Sequence, residues 1–569
     1  MPRRAIFWSL TALAVLAAGW QAWVLRWTCD DAFISFRYAQ HFVDGHGLVF
    51  NLDPKEPPVE GYTNFSWTMW LALGRWLCGS DRALETWSIV WGVSCHAGTV
   101  LLLAAVAWRA SARRAVVPIA ACGYAAIHHG ASLAPAGLET ALFVLLVTAM
   151  WRGCLAIRCV RDVWLLGFLG VLTAMTRPDG AIPVAAAGVF VAHAAWQRRV
   201  LRLLVAYAVP FLVVFVPYLL WRHAYYGYWV PNTFYAKSGG DPQPGQGLAY
   251  LGGFFACYWA LLIPAALLAV FLIRRDDLLA GVNAAYGRRP FVAIAAFVLP
   301  YLAFVAWVGG DFMFARFALP VLPVLLLAAD FACLRWRAGW LPWALAAVLA
   351  AGGSVARVEP PDLDKFVNPV SDNRRISFLE LQPGWPLVEV GRAAGEYWRE
   401  LFRGLDVRLG IAGAHANLAC RSRVPVAIEC AGGLTDAYIA HLPVAIGNKP
   451  GHTRPYFLYL GYLERRGVHF MCELSYGEHD PWRSIVFPCP PLGLPVRLVT
   501  WDRELMAELR RRDPGIVVQD FEQFLDAYIA DLPNKERRQV AQDFAKFVPF
   551  YFEHEQDLTR KQAFVDFLK

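Results

Sequence analysis

The chain has 569 residues, 57% of them hydrophobic and only 17% charged, with a formal net charge of +8. Soluble domains carry about a quarter charged residues, so a wholly soluble globular protein is excluded. The positive balance does not indicate nucleic acid either. The arginines stand in short clusters between long apolar blocks, as topology signals do, and no nucleic-acid motif is present.

The chain opens Met-Pro-Arg-Arg, followed by an apolar run over residues 5–24. No small-residue cleavage site precedes Cys29, so this run reads as a retained first span rather than a signal peptide. Further segments of spanning character cover residues 84–108, 115–133, 140–157, 163–175, 181–196, 203–221, 248–273, 291–307, 317–334 and 340–351, about eleven spans in all. Residues 64–77 are too short for a crossing and contain Arg75, which predicts an interfacial or re-entrant helix. With that segment left out of the membrane, Arg3/Arg4, Arg109/Arg113/Arg114, Arg152/Arg158/Arg161, Arg198/Arg199/Arg202, Arg274/Arg275/Arg288/Arg289 and Arg335/Arg337 all fall on one face. The positive-inside rule makes that face cytoplasmic. The opposite face receives loops 28–63, 134–139, 176–180, 223–247 and 309–316, together with everything after about residue 352.

The sequence thus divides into a membrane domain over 1–352, with an outer loop over 28–83, and an exported soluble α/β domain over 353–569. In the latter, residues 406–413 and 424–429 read as strands, and 393–402, 503–512 and 522–529 as helices. Gly410-Ile-Ala-Gly413 reads as a strand-end turn rather than a phosphate cradle. Four cysteines in an exported domain predict two disulfides, Cys420–Cys430 with Cys472–Cys489 favoured on proximity, against the alternative of four buried thiols. No spacing resembles a zinc site.

The outer loops carry the chemistry. Asp30 and Asp31 follow the first span, where ionised groups are costly without a role or a partner. Residues 31–43 have helical periodicity, so the two carboxylates point about 100° apart and cannot both face one substrate atom. Asp30 reads as a catalytic base, with Asp31 as the alternate base or as the cap of the helix. Arg37 and Glu60 are candidate pocket residues, with a surface ion pair as the bland alternative. Tyr62 and Asn64 stand in the run Val59-Glu-Gly-Tyr-Thr-Asn-Phe65, and Glu139 begins a span, either as cap or as site residue. Arg177 and Asp179 break two spans with charge and can pair with each other. Aromatics surround Asn232, Tyr235 and Lys237, as a sugar site or an interface belt requires. Asp311 and Arg316 mark another span boundary, and the planar guanidinium fork of Arg316 suits a phosphate.

Seven of these runs in order, Cys29-Asp-Asp-Ala-Phe-Ile-Ser-Phe-Arg-Tyr, Gly45-His-Gly-Leu-Val-Phe-Asn, Val59-Glu-Gly-Tyr-Thr-Asn-Phe, Gly137-Leu-Glu-Thr, Thr176-Arg-Pro-Asp-Gly, Pro231-Asn-Thr-Phe-Tyr-Ala-Lys and Gly309-Gly-Asp-Phe-Met-Phe-Ala-Arg, resemble the terminal β-arabinofuranosyltransferase family. That family acts in mycobacterial arabinan synthesis and has relatives that glycosylate type IV pilin. The tail resembles it more loosely, through Gly432-Gly-Leu-Thr-Asp436 and Gly451-His-Thr-Arg454. The resemblance implies a GT-C fold, a polyprenyl-phosphate sugar donor, most simply of D-arabinofuranose, and a glycan or pilin-type protein acceptor. A lone base predicts inversion, whereas a β donor giving a β product implies retention. No cofactor is required by the sequence; a divalent cation near the carboxylates is compatible with it, though no ligand spacing demands one. The rival readings are a transporter or flippase of lipid-linked sugars, which predicts internal repeats that this sequence lacks, and a GT-C enzyme using another donor sugar.

Overall fold

The computed structural model describes residues 2–237, 242–273, 289–334, 339–354, 373–412, 415–430, 432–443, 460–473, 481–489 and 493–569. The chain forms two compact units. The first comprises Met1–Gly47, Tyr62–Pro231 and Gly240–Ser377; the second comprises Leu48–Gly61, Asn232–Gly239 and Phe378–Lys569. The second unit thus takes up two segments that sequence reading assigns to outer loops of the membrane domain.

The first unit is helical. Among the described residues, Arg3–Val24, Arg82–Ala110, Pro178–Arg198, Arg202–Tyr226 and Arg289–Val308 are long and apolar enough to cross a membrane. Pro244–Cys257 and Trp259–Ile273 form a pair bent by 99°, and Thr140–Leu155, Leu319–Cys333 and Leu341–Ser354 are shorter apolar helices. Many large apolar side chains on these helices face outward, among them Leu16, Leu212, Val213 and Ile273. Only an apolar solvent makes that stable. The chain is a multi-pass membrane protein.

The local chemistry explains where spans deviate from the hydropathy pattern. Residues 115–133 are not one helix but two, Ile119–Ala125 and His128–Leu133, because Ile127 adopts an extended conformation between them. The break is held by the hydroxyl of Tyr258, which accepts from the backbone amide of His129 at 3.1 Å and bonds its ring Nδ1 at 2.5 Å. Asp330 caps the first of the two helices by accepting from the amides of Ile119 (3.1 Å) and Ala120 (2.8 Å). Within Arg202–Tyr226, one π-helical turn over Phe211–Phe215 follows Pro210, which cannot continue the amide ladder.

We label the first four helices α1 (Pro2–Val24), α2 (Ala32–Val43), α3 (Phe65–Cys78) and α4 (Arg82–Ala110). Helix α3 corresponds to the segment read as non-spanning. It is 14 residues long and ends at Gly79 in the left-handed conformation. Its Arg75 is held by Asp81 at 2.7 Å and Asp44 at 3.4 Å. The arginines 274, 275, 288, 335 and 337 of the topology argument lie outside the described residues.

The second unit is an α/β domain. A short antiparallel pair, β1 (Glu380–Gln382) and β2 (Trp385–Pro386), precedes a six-stranded mixed sheet. The latter contains β3 (Arg408–Ala412), β4 (Val426–Glu429), β5 (Phe470–Glu473), β6 (Ser484–Phe487), β7 (Leu494–Leu498) and β8 (Val517–Val518), in the spatial order β4-β3-β5-β7-β6-β8. Strand β3 pairs in parallel with β4 and β5, and the remaining pairings are antiparallel. The expected helices are present as Leu387–Leu401, Arg503–Arg512 and Phe521–Ala530. Gly410 lies inside β3, not at a strand-end turn, and a Cβ there would meet Cys430, Met471 and Leu463 at 3.3–3.4 Å. This glycine serves close packing of the sheet core.

Cys420, Cys430, Cys472 and Cys489 are buried thiols, so neither expected disulfide is formed. Their surroundings account for this. Cys430 belongs to an apolar cluster with Val426, Ile428, Leu463 and Met471, and burial pushes its thiol well up. Cys420 lies on the helix Ala416–Ser422, Cys472 in β5, and Cys430 and Cys489 just past β4 and β6. Such thiols behave as small apolar side chains.

Candidate functional site

The turn 134–139 of the first unit is built against the chain between α1 and α2. Gly137 sits at φ +83°, where a Cβ would stand 2.8 Å from that of Ala32 and 3.2 Å from Thr28. Its carbonyl accepts from the indole of Trp67 at 2.9 Å, and the Ala136 carbonyl accepts from the amide of Cys29 at 2.9 Å. This close approach brings the Asp30–Asp31 turn and Glu139 to the same end of the helices.

Asp30 and Asp31 are both half-buried. Their carbonyls start α2 by accepting from Phe33 and Ile34. The capping expectation fails for Asp31, whose backbone is already helical (φ −57°, ψ −25°) and whose carboxylate makes no cap bond. Burial would lower the proton affinity of Arg316; the charges of Asp311 and Glu139, with a smaller part from Asp31, outweigh it and raise it.

Glu139 is the centre of a buried ionic network. Its carboxylate accepts from Asn64 Nδ2 at 2.8 Å, Arg177 Nη1 at 3.2 Å and Arg316 Nη2 at 3.3 Å. Asn64 is fixed in turn by Ser35 (3.0 Å) and Thr68 (3.1 Å) on its amide oxygen. Burial alone would raise the Glu139 carboxyl; the charges of Arg316 and Arg177 and the Asn64 bond outweigh it and hold the group below the usual carboxylate range. Arg177 also binds Asp179 through Nε (2.9 Å) and Nη2 (3.1 Å), and Tyr301 donates to the same carboxylate. The expected Arg177–Asp179 pairing is therefore present, but buried rather than exposed.

Arg316 is the less satisfied cation. It reaches Asp311 at 3.6 Å, while its Nε has no acceptor although buried. It follows Ala315 at φ +67°, a conformation a side chain disfavours, so backbone strain is stored beside this guanidinium. Glu139 and Asp311 thus flank a cation with one N–H lacking an acceptor, and the charge of Asp31 also acts on it, in a half-buried setting where such charges act strongly.

The helices that start or end at this network carry arginines at their far ends. Helix α4 begins at Arg82, carries in its first turn Glu85, which accepts from Thr28 at 3.3 Å, and has Arg109 in its last turn; Thr140–Leu155 follows Glu139 and carries Arg152 in its last turn. Val160–Thr176 begins beside Arg158 and Arg161 and ends at Arg177, and Ala181–Arg198 returns from Asp179 to Arg198.

Arg37 is fully buried on α2, and Glu60 is buried in the second unit, so neither is a surface group. The hydroxyl of Tyr62 meets that of Tyr226 at 3.3 Å. Asn232, Tyr235 and Lys237 belong to the second unit. The Asn232 amide donates to the carbonyls of Gly433 (2.6 Å), Leu434 (3.1 Å) and Asp436 (3.3 Å), the Tyr235 ring packs against His441 at 4.2 Å, and Lys237 is exposed. Asn232 is thus a structural staple of that unit. The run Gly432–Asp436 has a structural task as well: Glu429 accepts from the amides of Gly432 and Leu434. The run 451–454 lies outside the described residues.

Sequence reasoning missed a second network, within the second unit. Asp53 binds Arg408 (3.2 Å) and Arg466 (3.0 Å), and Asp436 binds Arg466 (2.6 Å) and Tyr462 (2.9 Å). Burial would raise the Asp53 carboxyl, but the bonds from Arg466 and the Lys55 amide and the charge of Arg408 hold it low. The available signal was Asp53 in a proline-rich loop, which names no partner. No cluster of metal-ligating side chains occurs among the described residues.

No family model matches the chain. Over 372 residues it is 31% identical to the terminal beta-(1->2)-arabinofuranosyltransferase of Mycobacterium tuberculosis, covering 60% of this chain and 56% of that protein. Over 353 residues it is 29% identical to the protein of the same name in Corynebacterium glutamicum, covering 56% and 50%. The chain spans about half the length of the curated relatives it matches. Among solved structures it is similar to ArnT from Cupriavidus metallidurans bound to undecaprenyl phosphate, with a TM-score of 0.51 and 14% identity over 82% of this chain and 93% of that one. The fold is that of GT-C membrane glycosyltransferases, and the motif resemblance to arabinofuranosyltransferases is matched by these two relatives.

Proposed function

We propose that the chain is a membrane glycosyltransferase that moves a single sugar, D-arabinofuranose, from a polyprenyl-phosphate donor to a glycan or glycoprotein acceptor outside the cytoplasm. The observation that carries this is the Asp30–Asp31 turn gathered with Arg316 and Glu139 at one end of the helices, in a chain similar to arabinofuranosyltransferases.

Asp30 takes the proton of the acceptor hydroxyl as its oxygen bonds to the anomeric carbon, with Asp31 as the alternate base. The bond from that carbon to the donor phosphate oxygen breaks, and the polyprenyl phosphate leaves with the electron pair. Arg316, with its open Nε, meets the charge that grows on the phosphate. Glu139 and Arg177 do not touch substrate in this scheme; they position Arg316. The grouping of arginines at the far helix ends supports an active face, and a second unit, outside the cytoplasm.

The test is Asp30→Asn in the full chain, reconstituted with a polyprenyl-phosphate arabinofuranose. A positioned base contributes roughly 10²–10⁴-fold, so kcat falls by that factor while donor binding is kept. Wild-type turnover by a correctly inserted variant refutes the assignment, and turnover with a different sugar in place of arabinofuranose refutes the donor.

A further inference from the structure

The far ends of the same helices hold a cavity of about 740 Å³, within the size range of small-ligand sites. It is lined by Arg109 at the end of α4, Arg113 in the following turn, Arg152 in the last turn of Thr140–Leu155, and Arg158. Trp151 and Phe331 form its apolar wall. Asp162 is the one acid among the described lining residues, and its carboxylate is occupied by the backbone amides of Arg158 (2.8 Å) and Cys159 (3.1 Å). Asp162 feels the charge of Arg158, and among the described residues Arg109, Arg113 and Arg152 form no ion pair. Arg152 sits within reach of the positive charge of Arg109. The indole N–H of Trp151 is fully buried and has no acceptor.

Topology signalling explains why arginines occur at this face, and helix C-termini favour them. Neither explains why four of them line one open volume whose single described acid is engaged by backbone amides. Like charges brought together in this way require a counter-charge. Planar guanidinium forks select an oxyanion with several acceptor oxygens. At helix ends of a membrane protein, the phosphate within reach is that of the surrounding lipid.

We propose that this cavity binds the phosphate headgroup of an anionic phospholipid, at the end of the helices opposite the Asp30–Glu139 network. The phosphate oxygens take the forks of Arg109, Arg113, Arg152 and Arg158.

The experiment compares the purified full chain in nanodiscs of phosphatidylcholine alone, of phosphatidylcholine with phosphatidylglycerol, and of phosphatidylcholine with added inorganic pyrophosphate. The thermal midpoint is read for wild type, for Arg109→Gln/Arg152→Gln, and for Arg109→Lys/Arg152→Lys. Arg109 is exposed and Arg152 half-buried, so the variants leave the core intact. Phosphatidylglycerol raises the wild-type midpoint, the lysine variant keeps most of the response, and the glutamine variant loses it as affinity drops roughly 10- to 30-fold. A response to pyrophosphate but not to phosphatidylglycerol overturns the lipid as source. Equal responses of wild type and glutamine variant to both ligands, or none, overturn the site.

Discussion

Replacing Glu139 by glutamine removes the one carboxylate shared by Arg177 and Arg316 while keeping its shape. The glutamine oxygen still accepts one bond, but Asn64 and the two guanidiniums now compete for it. Breaking a buried ion pair costs about 3–5 kcal/mol when a charge is stranded. Here neither arginine is stranded, because Arg177 keeps Asp179 and Arg316 keeps Asp311 at 3.6 Å. The expected cost is therefore about 2–3 kcal/mol, falling mainly on Arg316, whose remaining partner is the more distant. Expressed in catalysis this is a loss of roughly 30- to 150-fold in kcat/KM, because each 1.4 kcal/mol is a factor of about ten. The assay is arabinosyl transfer by the reconstituted full chain, with Glu139→Asp as a partial rescue. The sign of the pH dependence is fixed by the direction of the shift. Glu139 is held below the usual carboxylate range, so its contribution is complete above that range and disappears as pH falls through the lowered value. The gap between wild type and glutamine variant accordingly closes in acid. A double-mutant cycle with Arg316→Gln decides the matter: effects that add within about 0.5 kcal/mol mean that the two residues do not act through each other, and the reasoning fails.

Three further outcomes follow from particular contacts. Gly137→Ala destabilises the first unit by about 1–3 kcal/mol beyond Gly45→Ala, since both glycines have positive φ but only at Gly137 does a Cβ meet other atoms; equal midpoints for the two variants contradict this. His415 is buried with its proton affinity pushed down to about 4, so between the ordinary 6.5 and 4 the unfolded chain binds a proton that the folded one refuses. Stability of the second unit then falls by about 3 kcal/mol as pH drops through that window, read as amide-exchange protection of β3 and β4, and His415→Gln flattens the slope. Asn232→Leu removes donors from three carbonyls and costs about 2 kcal/mol, with faster amide exchange around residues 433–436; unchanged exchange there counts against its stapling role.

What was legible in the sequence follows the range of the interactions involved. The α4 span, the short α3 helix and the helix Arg503–Arg512 are local patterns of hydropathy, length and charge, and they stand where those patterns put them. The network of Asn64, Glu139, Arg177 and Arg316 could be approached because each residue lies in a compact motif at a helix end, although nothing local says that Glu139 joins both arginines. The break at Ile127 was hidden, since its cause is Tyr258, more than a hundred positions away. The union of Asp53 with Arg408 and Arg466 was equally hidden, because it spans more than 350 positions. The contacts of the Asn232 amide were hidden for a related reason: the carbonyls it serves are contributed by a turn some 200 positions away.

The membership of Leu48–Gly61 in the second unit bears on how that unit can be produced. Leu52 donates its amide to the Pro425 carbonyl at 2.8 Å, and Asn51 accepts from Ala427 at 2.8 Å, so this segment edges the sheet beside β4. A polypeptide beginning at Phe378 would carry Arg408 and Arg466 without the Asp53 carboxylate and would leave the outer border of β4 open to strangers. Such a fragment is expected to associate with itself, whereas fusing residues 48–61 ahead of it through a flexible tether restores both the missing counter-ion and the border.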